Sequence, residues 1–168
     1  PDYTYATARL LLQTIGKEVL GRFVSPEELT ASYPEYFPTF IHKGVAADLL
    51  DERLAQYDLE RLGAALKPER DLQFDYLGLQ TLYDRYFLHV RKQRIELPQA
   101  FFMRVAMGLA LEEIDREARA IEFYEILSSF DFMSSTPTLF NSGTLRSQLS
   151  SCYLTTVPDH LDGIYESI

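Results

Sequence analysis

The sequence is poor in several features that mark particular classes of protein. Its 168 residues include one cysteine, Cys152, and no tryptophan, so no disulfide can form within the chain and nothing favours an oxidising compartment. There are 16 Lys and Arg against 25 Asp and Glu, a formal charge of −9. This balance argues against a general nucleic-acid binder, which usually carries a basic patch. The sequence has no apolar run near the roughly 20 residues that cross a bilayer, and its first residues do not resemble a signal peptide. We therefore predict a cytoplasmic protein.

Large apolar side chains, in contrast, are plentiful. Hydrophobic residues make up 46% of the chain, with 11 Phe and 11 Tyr, which is enough to build a real core. A chain of 168 residues fits one domain, or one domain and the start of another. The sequence begins at Pro1 without an initiator Met and stops at Ile168 inside a predicted helix. We therefore expect a segment of a longer polypeptide.

Apolar residues at helical spacing predict a mainly α-helical N-terminal domain over residues 1–130. Ser25 is predicted to cap a helix that Pro26 opens, and the prolines of Tyr33–Pro38 predict a loop. Phe87–Val90 and Ile95–Leu97 are predicted to form a small hairpin. The other predicted helices are Tyr3–Arg22, Phe40–Gly44, Ala46–Gln56, Leu59–Leu66, Tyr76–Tyr86, one opened by Pro98 and one over Glu112–Ser129.

The composition changes after Phe132. Met133–Ser151 is rich in Ser, Thr, Pro, Asn and Gly and carries few charges, which predicts a polar loop. Gln148–Thr156 then reads as a short strand containing Cys152, and another helix is predicted to begin at Leu161. A helical module followed by a loop, a strand and a helix is typical of the edge of an α/β domain. The domain boundary is predicted near residue 130.

Taken alone, these residues leave their roles open. Hydroxyls and backbone N–H groups in the Ser135–Thr144 turn can bind phosphate oxygens, although hydroxyl-rich loops more often form Asx or Ser turns. A lone cysteine such as Cys152 is more often a buried structural residue than a reactive one. His42 and His89 are isolated, with no second ligand at metal spacing. No metal site is predicted.

The order of these motifs is nevertheless specific. The run from Ser135 to Cys152, Ser-Thr-Pro-Thr-Leu-Phe-Asn-Ser-Gly-Thr-Leu-Arg-Ser-Gln-Leu-Ser-Ser-Cys, resembles the opening of the catalytic barrel in class I ribonucleotide reductase large subunits. Asp162–Tyr165, Arg70–Tyr76 and Pro98–Ala106 are also similar to this family. The resemblance covers nearly the whole chain and is weakest between residues 23 and 68. It implies a helical N-terminal domain over residues 1–130, followed over 131–168 by the first loop, strand and helix of a ten-stranded α/β barrel.

The resemblance also assigns roles to residues. Cys152 matches one of two thiols that reduce the ribose of a ribonucleoside diphosphate after a thiyl radical on another cysteine abstracts the 3′ hydrogen. A thiol suits this step because it gives a hydrogen and can then form a reversible disulfide. Thr136 matches a position that binds substrate phosphate, and Ser151 matches another position that contacts substrate.

An effector site and several partners follow from the same resemblance. Asp159, His160 and Leu161 match a loop that binds ATP or a deoxynucleotide as allosteric effector. Asp159 read without the resemblance is an ordinary helix cap after Pro158. The resemblance implies no cofactor in this segment, a radical from a smaller metal-containing subunit, thioredoxin or glutaredoxin as reductant, and a homodimer or higher oligomer.

Two alternatives to this interpretation differ in what they predict. A non-catalytic helical interaction module would have an unreactive Cys152 and no affinity for nucleotides. An adenosylcobalamin-dependent reductase with the same barrel motif would make its radical without a second subunit. As part of a ribonucleoside-diphosphate reductase, the segment alone is expected to be inactive.

Overall fold

The structure is a computed structural model that describes residues 2–146 and 148–154. It is mainly helical with one small two-stranded sheet. No helix in the part of the chain that it describes is long and apolar enough to span a membrane. The helices are α1 Asp2–Leu20, α2 Pro26–Ala46, α3 Leu59–Ala65, α4 Tyr76–Thr81, α5 Pro98–Leu109, α6 Arg116–Ser128 and α7 Thr136–Asn141. Two 3-10 segments cover Glu52–Gln56 and Pro68–Gln73, a π-helical segment covers Leu82–Tyr86, and strands β1 and β2 cover His89–Val90 and Gln93–Arg94.

Helix α5 lies at the centre of the core. Every residue from Pro98 to Met107 is buried, because α6 packs along one side of the helix and α2 and α7 contact it elsewhere. The predicted core positions Phe101, Phe102 and Val105 are confirmed as buried, whereas Leu109 is partly exposed at the end of the helix. A helix that is buried on all sides is a core helix, and the other elements are arranged around α5.

Helix α2 corrects the loop predicted over Tyr33–Pro38. One helix runs through both Pro34 and Pro38, and it also absorbs the separate helix predicted over Phe40–Gly44. Its buried side chains recur along one face from Leu29 to Gly44, while Pro34 faces solvent. Burial of this face against the core outweighs the cost of the two prolines. The predicted cap is confirmed, because Ser25 forms a capping box with Glu28.

The predictions for the other helices hold with shifted ends. The helices predicted near the positions of α1, α3, α5 and α6 are present, although α6 begins only at Arg116. The helix predicted over Ala46–Gln56 is wrong except for a 3-10 turn at Glu52–Gln56. The helix predicted over Tyr76–Tyr86 changes to π-helical winding at Leu82.

The predicted hairpin is present, but its first strand is only His89–Val90, and its second strand is Gln93–Arg94 instead of the predicted Ile95–Leu97. Its strands pair Val90 with Gln93 and His89 with Arg94, and the turn residues Arg91 and Lys92 both have positive φ. Two consecutive residues with positive φ fit the tight turns that match the twist of a hairpin. The hairpin ends where Ile95 enters the core.

Two predictions about the polar segment are corrected. The loop predicted over Met133–Ser151 contains the short helix α7, which Pro137 favours because proline suits the first turn of a helix. The strand predicted over Gln148–Thr156 is not formed in its described part, 148–154. A strand needs a neighbour to satisfy its backbone, and these residues have no partner strand among those described. The helix predicted from Leu161 lies outside the described residues.

Candidate functional site

Three of the predicted site residues, Thr136, Ser151 and Cys152, lie within the described part of the chain. All three side chains are exposed. The predicted effector residues Asp159, His160 and Leu161 lie outside the described residues. The candidate site is therefore α7 together with residues 148–152.

Polar side chains on one face of α7 hold the segment that leads to Cys152. The Thr138 hydroxyl donates to the carbonyl of Leu149 over 2.9 Å, and the Ser135 hydroxyl donates to the same carbonyl over 3.3 Å. Asn141 donates from its amide to the carbonyl of Gln148 over 2.7 Å. Residues three apart share a helix face, so Ser135, Thr138 and Asn141 form one row. This row fixes the backbone two residues before Ser151.

Helix α7 is fixed in turn by a buried arginine. Arg104 of α5 is fully buried, and its Nη1 donates to the carbonyls of Leu139 and Ser142 over 3.0 and 2.9 Å. The last carbonyls of a helix have no partner within the helix, and a guanidinium is suited to them because it offers five donors and favours the negative end of the helix dipole.

The charge of Arg104 is balanced inside the core. Nε and Nη2 donate to the carboxylate of Glu96 over 3.1 and 3.0 Å, and both side chains are fully buried. Glu96 also accepts from the backbone N–H of Leu88 over 2.8 Å. Removing one member of a buried pair leaves an uncompensated charge and typically costs several kcal/mol. The pair therefore links the hairpin, α5 and the end of α7.

The backbone after α7 lies directly against α5. Ser142 is buried and donates to the carbonyl of Val105 over 2.7 Å. A Cβ atom on Gly108 would lie 2.1 Å from the nitrogen of Gly143, so the approach requires a glycine at position 108. Gly143 has φ +79° and accepts from the N–H of Asp51 over 3.0 Å. The two glycines allow the chain to turn at this point toward residues 148–152.

Thr136 is the first residue of α7 and its hydroxyl faces outward. The Thr136 Oγ1 atom lies 3.2 Å from the hydroxyl of Tyr86, and either oxygen can be the donor. Thr136 thus directly follows Ser135 of the row that holds Leu149, but its own side-chain contact is with Tyr86.

Cys152 is a free and exposed thiol in the described part of the chain. The Ser151 hydroxyl donates to its sulfur over 3.8 Å. A lone cysteine is more often a buried structural residue, but the Cys152 side chain is exposed and contributes nothing to the core. An exposed thiol is accessible for disulfide exchange.

A second polar network lies in the core, away from α7. The Asp71 carboxylate accepts from the Tyr33 hydroxyl over 2.6 Å and from the Gln99 amide over 2.8 Å. Tyr124 donates to Gln99 over 2.7 Å and accepts from the backbone N–H of Lys67 over 2.9 Å. Burial raises the pKa of Asp71 to about 7 and that of Tyr124 to about 12. The network joins α2, α5, α6 and the 3-10 segment Pro68–Gln73.

Two cavities open beside these elements. A cavity of about 590 Å³ is lined mainly by apolar side chains from α4, α5 and residues 130–134, and it reaches Tyr86 and Leu139. A second cavity, of about 550 Å³, lies between α1, α2 and the Pro68–Gln73 segment, with Arg9 and Asp71 among its lining residues. The described residues contain no cluster of three His, Cys, Asp or Glu side chains with the geometry of a metal site.

The sequence reasoning missed Arg104, Glu96 and Tyr86. A signal for the first two was present, because both are charged residues inside the mainly apolar run Ile95–Met107. Charged residues at core positions are nearly always paired. Tyr86 gave no such signal, since tyrosines are common in this chain and its contact joins residues 50 positions apart.

Comparisons with known proteins show what the chain is similar to. Residues 72–147 match the family described as "Ribonucleotide reductase, all-alpha domain". The whole chain is 49% identical to "Ribonucleoside-diphosphate reductase subunit alpha" of Chlamydia trachomatis and covers 16% of that protein. It is 44% identical over 99% of its length to the protein of the same name from Helicobacter pylori and covers 20% of that protein. It is 36% identical to "Ribonucleoside-diphosphate reductase large subunit" of Danio rerio and covers 21% of that protein.

The chain therefore belongs to the ribonucleotide reductase large-subunit family, as the motif at Ser135–Cys152 predicts. It spans about a sixth to a fifth of the length of these relatives.

Proposed function

We propose that the chain is part of a large subunit that reduces ribonucleoside diphosphates to deoxyribonucleoside diphosphates, with Cys152 as one of two reducing thiols. The observation that carries the proposal is the 49% identity over the whole chain to a relative named for this reaction. The free, exposed thiol of Cys152 supports it, because the role requires access to the ribose.

In the proposed reaction the electrons balance without another reductant at the ribose. A thiyl radical on a cysteine elsewhere in the subunit takes the 3′ hydrogen, and the 2′ hydroxyl leaves as water. Cys152 and its partner thiol together supply two electrons and the hydrogens and end as a disulfide, while the 3′ hydrogen returns to the sugar. Thiol exchange with a reductant such as thioredoxin or glutaredoxin then restores the dithiol. A smaller metal-containing subunit supplies the radical.

Thr136 and Ser151 are proposed to hold the substrate. Thr136 presents an exposed hydroxyl at the start of α7, and Ser151 lies beside the thiol. The row Ser135, Thr138 and Asn141 anchors the chain between them through Leu149 and Gln148. These hydrogen bonds would keep a constant distance between the proposed phosphate contact at Thr136 and the thiol of Cys152.

The remaining assignments complete the proposal. Residues 131–168 form the start of a ten-stranded α/β barrel, and Asp159, His160 and Leu161 belong to an effector site for ATP or a deoxynucleotide. The subunit works in the cytoplasm as a homodimer or higher oligomer.

The test is Cys152→Ser in the full-length subunit with its small subunit present. A serine can hydrogen bond but cannot form a disulfide, so repeated turnover with a dithiol reductant should fall to background while nucleoside diphosphate binding persists. Ser150→Ala, two residues earlier and also exposed, is the matched control and should turn over normally. Normal multiple turnover by Cys152→Ser contradicts the assignment.

A further inference from the structure

Tyr86 is held so that its hydroxyl meets Thr136. Its ring stacks on Phe140 of α7, with centroids 4.5 Å apart, and its other neighbour is the edge of Phe101, at 6.4 Å. Tyr86 also ends the π-helical segment Leu82–Tyr86. Short π-helical segments occur frequently at functional sites. The ring is thus fixed by aromatic packing, and the hydroxyl lies 3.2 Å from Thr136 Oγ1.

The contact has a preferred direction once a phosphate is bound. Phosphate oxygens at neutral pH only accept hydrogen bonds, so the single proton of the Thr136 hydroxyl must point at the phosphate. The lone pairs of Thr136 Oγ1 are then free to accept, and the Tyr86 hydroxyl can donate to them. A donor behind the threonine polarises its O–H bond and strengthens the bond to the anion.

Helix α7 does not need this contact to stay in place. Arg104 holds its last carbonyls, Ser142 anchors the following turn, and Thr138 ties it to Leu149. Thr136 is itself exposed. The hydroxyl pair at the surface therefore adds little to packing but determines where the proton of Thr136 points.

We propose that Tyr86 is a positioning residue that orients the Thr136 hydroxyl toward the substrate phosphate. The proposal rests on the proposed function, in which Thr136 binds that phosphate. It goes beyond it because Tyr86 lies in the helical domain, 50 positions before Thr136 in the chain, and extends the substrate site into that domain.

Tyr86→Phe in the full-length subunit tests the proposal, because it removes the hydroxyl and keeps the ring that stacks on Phe140. With cytidine diphosphate as substrate and ATP at a fixed concentration, KM and the equilibrium dissociation constant should rise about three- to tenfold, the worth of one neutral hydrogen bond. The value of kcat should change by less than about twofold, since the contact is made in the ground state as well as the transition state. A purely structural loss would lower the thermal midpoint instead.

Tyr83→Phe is the matched control. Tyr83 lies in the same π-helical segment, but its hydroxyl donates to Glu18 over 3.3 Å, so KM should not change. An equal rise in KM for both variants overturns the proposal.

The double variant Tyr86→Phe/Thr136→Val separates the proposed role of Tyr86 from the proposed contact of Thr136 with the substrate phosphate. Thr136→Val should raise KM by about fivefold or more, and adding Tyr86→Phe should then have no further effect. If Thr136→Val leaves KM unchanged, the phosphate contact itself is wrong and Tyr86 has no role through it. If Thr136→Val raises KM but Tyr86→Phe does not, the phosphate contact stands and the role of Tyr86 is wrong. The same conclusion follows if Tyr86→Phe raises KM further in the double variant.

Discussion

Several polar side chains are buried in the apolar core, and Asp71 is the clearest case. Its carboxylate is buried and is held by two neutral donors, Tyr33 from α2 and Gln99 from α5. Neutral donors stabilise the anion less than a cation would, so burial dominates and the pKa rises to about 7. The neighbouring Glu69 adds to this rise. The protonation state of one side chain thus affects how the Pro68–Gln73 segment is held.

The raised pKa predicts that the Pro68–Gln73 segment opens more readily as the pH rises. The unfolded carboxyl has a pKa near 4 and the folded one about 7, so between these values opening releases a proton. The free energy of opening should fall across that window by up to ~1.4 kcal/mol per pH unit and level off above it. Hydrogen exchange of the amides of residues 69–74 in the full-length subunit, corrected for the intrinsic rate at each pH, measures this free energy.

Asp71→Asn should remove the slope, because the amide does not titrate. Asp75→Asn changes an exposed carboxylate just after the segment and keeps a side chain able to cap α4, so it should retain the slope. A flat profile in the wild-type protein would show that Asp71 is already ionised in the folded state across this range, which contradicts the raised pKa.

At the scale of elements, the decisive contact is that of α5 with the turn after α7. Arg104 and Ser142 provide its polar bonds, and Gly108 and Gly143 provide the close backbone approach. This contact places a six-residue helix that is too short to be stable alone. The position of Thr136 is therefore a consequence of how α5 packs.

Two glycines with positive φ allow this contact to be tested. Gly143 has φ +79° and an added Cβ would lie 2.8 Å from the carbonyl oxygen of Arg104, whereas Gly21 has φ +74° and open space around it. Gly21→Ala should cost about 1 kcal/mol from backbone strain alone. Gly143→Ala should cost a further ~1–3 kcal/mol from overpacking.

The comparison is made by native-state hydrogen exchange of the amides that flank each glycine in the full-length subunit. An equal cost for both alanine variants would mean that the turn after α7 is free to move away from α5.

At the scale of the whole molecule, the chain is about a sixth to a fifth of its relatives, and its regulation is proposed to involve a second subunit. The resemblance implies that Asp159 binds the ribose of the effector, just before a predicted helix whose N–H groups suit phosphate. We propose that this effector site lies at a dimer interface. A site shared by two subunits couples effector binding to association, since each event completes the contacts of the other.

Asp159→Ala should weaken effector binding and effector-induced dimerisation together, with a smaller effect on basal turnover. Effector titrations followed by analytical ultracentrifugation measure both quantities on one sample. Titrations that overlay those of the wild type in affinity and in association state would exclude the proposed role of Asp159.

The sequence alone was sufficient to identify the family and to locate most of the helices. The motif Ser135–Cys152 identified the family because the order of its residues is specific, and the 3.6-residue period located α1 and α6 because one face of each is buried. Local signals also sufficed for the cap at Ser25, since a cap depends on residues three positions apart.

The features that depend on contacts between residues distant in sequence were visible only in the tertiary structure. The prolines of α2 suggested a loop, but burial of one helix face against the core made the helix continuous. The short helix α7 forms inside a loop-like sequence because Arg104 and Ser142 hold its end. The contact between Tyr86 and Thr136 is equally hidden from sequence patterns, because such patterns report local preferences while this contact exists only when two distant segments are folded together.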